Sequence, residues 1–120
     1  MLPKWQEKEN KVRHILEKER GESFEQRVVP LVGADRGYKF DLVSSDGTIV
    51  GEVKTAEYKG GNKSTAVARL SDACLLLLGA KGAKKKMLIL TDKRLFELFR
   101  EERQGRIAAK NGIEIRLVKV

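Results

Sequence analysis

Asp41, Glu52 and Lys54 are the residues of this 120-residue chain whose types and spacing could do chemistry together. They flank an Asp46-Gly47 step, a dipeptide that strongly favours a two-residue hairpin loop. With such a loop Ser45 pairs with Thr48. Asp41 then falls opposite Glu52, Lys39 opposite Lys54, and Val43 opposite Val50. Opposed residues share a face with Cβ atoms about 5 Å apart, and Lys54, two residues past Glu52, shares it too. A three-residue loop would instead set Asp41 opposite Gly51 and away from Glu52. Two carboxylates facing each other repel, and a divalent cation offsets that repulsion. Mg²⁺ accepts one or two carboxylates and keeps several waters, and a lysine one step along could orient or activate one of them. Phosphodiester hydrolysis needs this set, because the metal stabilises charge on phosphate oxygens and lowers the pKa of its water. The competing reading is a solvated ladder in which Lys39 and Lys54 screen the two acids. Against it, Val43 and Val50 share that face, which argues that the face is at least partly covered.

The elements that must position these residues are readable from periodicity and punctuation. Pro3 suits a helix start. Trp5, Val12, Ile15 and Leu16 form a thin apolar stripe, and Gly21 ends the helix. Ser23 with Gln26 makes a capping-box pattern and predicts a second helix that buries Phe24, Val28 and Leu31, or the neighbouring Val29 and Val32, and closes at Gly33. Tyr38–Ser45 and Thr48–Ala56 are the hairpin strands. A heavily buried helix is predicted over about residues 64–78, with a strand at Ala73–Leu78 as the competing reading. Met87–Thr91 reads as a buried strand. Asp92 caps a helix carrying Leu95, Phe96, Leu98 and Phe99, and Ile113, Ile115 and Leu117 alternate in a last strand. The order α, α, β, β, α, β, α, β predicts an α/β fold, a mixed sheet flanked by helices on both faces.

Phe40-Asp41, ten intervening residues and Glu52-Val53-Lys54 resemble the signature of the PD-(D/E)XK nuclease superfamily, whose members include restriction endonucleases, archaeal Holliday junction resolvases and DNA repair nucleases. Phe40 stands where that signature has proline. Gly21-Glu22-Ser23-Phe24-Glu25 with Val28 resembles the start of the family's first helix, and the order of elements is similar over about residues 21–91. The resemblance implies a restriction-endonuclease-like fold, with Mg²⁺ or Mn²⁺ held by Asp41, Glu52 and the Val53 carbonyl. It further implies that Glu25 assists at the metal and that Lys54 lies near the attacking water. A further polar residue commonly sits on the following helix, where this chain offers Lys63, Ser64 and Arg69 but no Gln.

The rest of the sequence bounds this reading. Its formal net charge of +8 attracts polyanions. DNA is the expected partner, with RNA left open, and the expected contacts are Lys39, Lys63, Ser64, Arg69, Lys84 and Lys85. Lys81, Lys84, Lys85 and Lys86 could track a nucleic-acid backbone or form a solvated turn. Gly60-Gly61-Asn62-Lys63-Ser64-Thr65 lacks a P-loop's first glycine, since Glu57 takes its place, so a phosphate site at a helix N-terminus and an ordinary capped loop both remain open. His14 is the only histidine, so a zinc site lacks partners. Trp5 reads as a packing anchor for the first helix rather than a base-stacking platform. The single Cys74 rules out an internal disulfide and suits a reducing compartment. No apolar stretch is long enough to span a bilayer, and the charged N-terminus lacks a signal-peptide core, so a cytoplasmic location is expected. The length implies one domain over residues 1–120, with a helical extension over 1–20 and a core over 21–120. A domain this small implies selection by DNA shape, or a homodimer that cuts both strands. The alternative function is a non-catalytic nucleic-acid-binding module on the same fold.

Overall fold

The computed structural model describes all residues from 1 to 120. Helix α1 (Lys4–Arg20) starts behind Pro3 and stops at Gly21, whose left-handed φ of 66° lets its N–H reach the Glu17 carbonyl. The chain then forms three antiparallel strands, β1 (Phe24–Val29), β2 (Tyr38–Ser44) and β3 (Ile49–Lys54). Helix α2 (Lys63–Gly79) crosses over to β4 (Lys85–Leu90), and α3 (Lys93–Glu101) with α4 (Arg103–Lys110) crosses to β5 (Ile113–Leu117). The sheet order is β1-β2-β3-β4-β5, with β3, β4 and β5 parallel. The fold is thus the expected mixed sheet flanked by helices.

The second helix predicted from Ser23 and Gln26 does not exist; Ser23 precedes β1 and Gln26 lies within it. Val28 and Val29 are β-branched, and Pro30 lies just past the strand, where its missing N–H interrupts no ladder bond. Pairing with β2 outweighs the local capping pattern. The order of elements is therefore α-β-β-β-α-β-α-α-β. The helix after Asp92 also divides at Glu102. There Gly105 sits so close to the Phe99 carbonyl that an added Cβ would lie 1.9 Å from the oxygen, so the approach of α4 to α3 requires glycine.

Alternating side chains divide the sheet between two cores. Leu88 and Leu90 face α2, α3 and α4, joined by Val43, Val50, Leu70, Leu77 and Phe99. Met87 and Ile89 face α1, joined by Val12, Leu16, Leu42 and Val53. Val12 and Leu16 are fully buried, so residues 1–20 are not an extension but one layer of an α/β/α sandwich.

Candidate active site

The hairpin has the expected register, with Val43 opposite Val50 and Leu42 opposite Gly51. Its loop is four residues, Ser45–Thr48, rather than two. Asp46 Oδ1 accepts from the Thr48 N–H at 3.0 Å and from the hydroxyls of Thr48 and Ser44, while Gly47 takes a φ of 74°. Leaving one residue on each side unpaired preserves the pairing beyond. These bonds hold the Asp46 carboxyl down at about 2.

Between Leu42 and the Asp41 position the two strands part, and the carboxylates take over from the ladder. Asp41 N–H donates to Glu52 Oε1 at 3.1 Å, and Val53 N–H donates to Asp41 Oδ2 at 2.8 Å. On its other edge β2 carries a bulge. Glu25 faces Val43 and Arg27 faces Phe40, so Asp41 and Leu42 together oppose Gln26. The extra residue changes the parity of β2, since Phe40 and Val43, an odd number apart, both join the α2-side core. Bulges re-aim side chains in this way, and here the re-aimed residue is Asp41. The predicted pairings of Asp41 with Glu52 and of Lys39 with Lys54 are not part of the ladder, which joins β2 to β3 only where Leu42 meets Gly51 and Val43 meets Val50. Lys39 is exposed and pairs with Val28 of β1.

Glu52 is 2% exposed. Its Oε2 accepts from the Tyr38 hydroxyl at 3.2 Å and lies 3.8 Å from Lys54 Nζ. Burial first, and then the Asp41 charge, push its carboxyl up to about 7, against the pull of the Asp41 N–H, Lys54 and Tyr38. Burial raises Asp41 as well, against the Val53 N–H and the Lys54 charge. Burial and the adjacent Glu52 push Tyr38 to about 12, which keeps it a hydrogen-bond donor. The geometry is therefore not an exposed charge ladder; it is a buried and a half-buried acid that repel each other, with one lysine beside them.

A third acid joins them from α1. Glu9 is 5% exposed, lies 3.9 Å from Arg13 and accepts from Gln26 Nε2 at 3.2 Å. Burial and then the Asp41 charge raise its carboxyl. The resemblance implies that Glu25, on a helix, assists at the metal. Glu25 instead sits on β1, its side chain solvent-exposed and 3.9 Å from Arg27. Glu9 occupies the place beside Asp41 that Glu25 was expected to fill.

Glu9, Glu52, Val53 and Lys54 line a cleft of about 660 Å³ that opens between α1, the end of β3 and α2. Arg69 of α2 and Trp5 of α1 line it too. Trp5 is 54% exposed, so it does not anchor the helix by burial as expected. Lys63, at the start of α2, pairs with Glu102 at 2.6 Å. Ser64 is exposed on the first turn, and Asn62 caps the helix through Thr65 N–H, which makes the glycine loop an ordinary capped loop. Lys84 and Lys85 lie at the opposite end of the sheet: Lys85 pairs with Ile49, whereas Lys54 pairs with Leu90. Five residues of strand put them about 16 Å from the cleft end, and Lys85 is engaged by Glu114. His14 is exposed and pairs with Glu17.

The donors here are oxygens, which suit Mg²⁺, Mn²⁺ or Ca²⁺ rather than a soft metal. No group of three or more acidic, imidazole or thiol side chains is placed to hold a metal ion. A pair of carboxylates is what Mg²⁺ takes, with waters completing its shell. The burial that raises both carboxyls is a second feature that a divalent ion would offset.

No protein-family model matches the chain, and no curated protein matches it. The fold is similar to that of SfsA from Pyrococcus furiosus, solved in complex with Ca²⁺, at a TM-score of 0.55 and 18% identity. The alignment covers 95% of this chain and 57% of that one, so the chain spans little more than half of SfsA. At this identity the likeness is one of fold. No helix of the protein is long and apolar enough to cross a membrane.

Proposed function

We propose that this protein is a divalent-metal-dependent nuclease that hydrolyses DNA phosphodiester bonds. The reading is carried by one observation. Half-buried Asp41 and buried Glu52 bond across adjacent strands where these part, and Glu52 and Lys54 reach the end of an open cleft. Asp41, Glu52 and the Val53 carbonyl would hold Mg²⁺ or Mn²⁺, which supplies charge stabilisation at phosphate oxygens and an acidified water. The chain's own residues then divide the remaining work. Lys54 Nζ donates hydrogen bonds that hold the attacking water or a phosphate oxygen. Glu9 adds a carboxylate beside Asp41 from α1, and Arg69, across the cleft on α2, suits bidentate contact with a phosphate. The Ca²⁺ of the SfsA complex belongs to the same class of oxygen-seeking cations, and the net charge of +8 favours a polyanionic substrate.

A second reading, a non-catalytic nucleic-acid-binding module, is favoured by the self-contained bonding of Glu52, whose oxygens already meet Asp41 N–H, Tyr38 and Lys54. Incubation of branched, duplex and single-stranded DNA, and of RNA, with Mg²⁺ and with Mn²⁺ separates the two. The nuclease cuts at least one DNA substrate, and Lys54→Ala lowers the rate about 10²–10⁴-fold with binding retained. Binding without cutting under every condition makes it the module.

A further inference from the structure

Trp5 is the chain's only tryptophan, and leaving a large aromatic half exposed forgoes much of the burial free energy it could contribute. Its position gives that exposure a use. Trp5 lies one helical turn before Glu9, and residues four apart share a helix face. Both line the cleft that Glu52 and Lys54 reach. The Lys8–Glu57 pair, at 3.6 Å, ties this part of α1 to the segment leaving β3. Beyond Lys54 the walls alternate an apolar surface of Ala56, Ala66, Leu70, Ala73 and Leu76 with polar groups, Glu57, Arg69 and Asp72 among them. The apolar surface suits the faces of bases, while Arg69 beside it is left for a phosphate. Tyr58 completes this lining, fixed by its hydroxyl on the Gly61 carbonyl and by Arg94 5.2 Å from its ring centroid.

We infer that Trp5 is a stacking platform for an unpaired base, so that the site takes single-stranded DNA or a splayed nucleotide of a branched one. A cleft of about 660 Å³ is the size of a small-molecule pocket. It admits a nucleotide or two, not a stacked duplex. Base–aromatic stacking tolerates any base, so the selection is for strand state rather than sequence. The inference rests on the cleft being a nucleic-acid site and is independent of whether that site cuts.

The single tryptophan is its own reporter. The intact protein is titrated in Mg²⁺ with a short oligo(dT), with an abasic oligomer of equal length and with a blunt duplex, following tryptophan fluorescence and, separately, fluorescence anisotropy of labelled DNA. Oligo(dT) quenches Trp5, whereas the abasic strand, which carries the same phosphates without bases, leaves it unchanged. Trp5→Ala weakens oligo(dT) binding about 5–100-fold and leaves abasic binding and the salt dependence as in wild type. Trp5→Phe retains most of the affinity. A Trp5→Ala protein that binds oligo(dT) like wild type, or quenching of equal size by the abasic strand, overturns the stacking role alone. Anisotropy showing no binding of any nucleic acid overturns the nucleic-acid site with it. Quenching and base-dependent affinity without cleavage uphold the platform and refute only catalysis.

Discussion

Replacing Glu52 with Gln in metal-free protein isolates what the buried acidic pair does to stability. The carboxyl titrates near 4.5 when the chain is unfolded and is pushed to about 7 in the fold, by burial and then by Asp41. Between those values the native protein keeps a proton that the unfolded chain has released. The resulting stabilisation is therefore full below pH 4.5 and lost as the pH rises through about 7. At about 1.4 kcal/mol per pH unit, the displacement amounts to about 3 kcal/mol by pH 8. Asp41 and Glu9 are raised too and deepen the loss. Asp46 is lowered to about 2, but its titration is complete below the range of interest. Urea unfolding in EDTA at about pH 5 and about pH 8 measures the effect. Wild type is expected to lose about 3 kcal/mol across that interval. Glu52→Gln keeps an acceptor oxygen for the Asp41 N–H but carries no titrating charge. Most of the pH dependence should vanish, and the variant should be the more stable protein at the higher pH. Saturating Mg²⁺ should restore wild type there by mass action and do little for the variant. A wild-type profile that is flat or rises with pH, or a Glu52→Gln protein weaker than wild type at about pH 8, refutes the reasoning, because the carboxylate would then be held ionised.

Two further outcomes follow from where the structure puts the other charged residues. Glu9→Gln should lower Mg²⁺-dependent cleavage about 10–100-fold, the usual effect of removing a group that orients a metal ligand, while Glu25→Gln stays within about twofold of wild type; equal effects, measured by single-turnover kinetics, would remove Glu9 from the site. Arg69→Ala should weaken DNA binding and reduce the slope of log K against log salt by about 1, whereas Lys84→Ala and Lys85→Ala, at the far end of the sheet, should leave binding in the cleft unchanged; anisotropy titrations across a salt series report both.

The parts of this site legible in the sequence share one property: a local signal agreed with the tertiary arrangement. Asp46-Gly47 set the hairpin register, and the pairing of Val43 with Val50 survived even though the loop is four residues rather than two. The apolar face over residues 66–78 identified α2, and Asp92 identified the start of α3, where it accepts from the Leu95 N–H. Where local and tertiary preferences conflict, the tertiary arrangement prevails. Ser23 and Gln26 have the chemistry of a helix cap, but β1 gains ladder bonds along β2 that an isolated capping pattern cannot match. Its burial is also irregular: of Phe24–Val29 only the two end residues are buried, and the bulge beside Gln26 breaks the period of two that marks a strand. Misreading β1 as a helix then carried Glu25 into the role of the helical acid. Glu9 had been hidden among the many acids of a charged helix, yet one clue separates it from them. The stripe Trp5, Val12, Leu16 leaves a gap at helical spacing, and the residue in that gap is Glu9. An acid on the buried stripe of an amphipathic helix costs free energy unless something on the facing element answers it. Here Gln26 and Arg13 answer part of that cost, while Asp41 adds to it. Raised carboxyls on α1, β2 and β3 thus lie close together, two of them lining one cleft, and that crowding, more than any motif spacing, is the physical reason to test for a cation there.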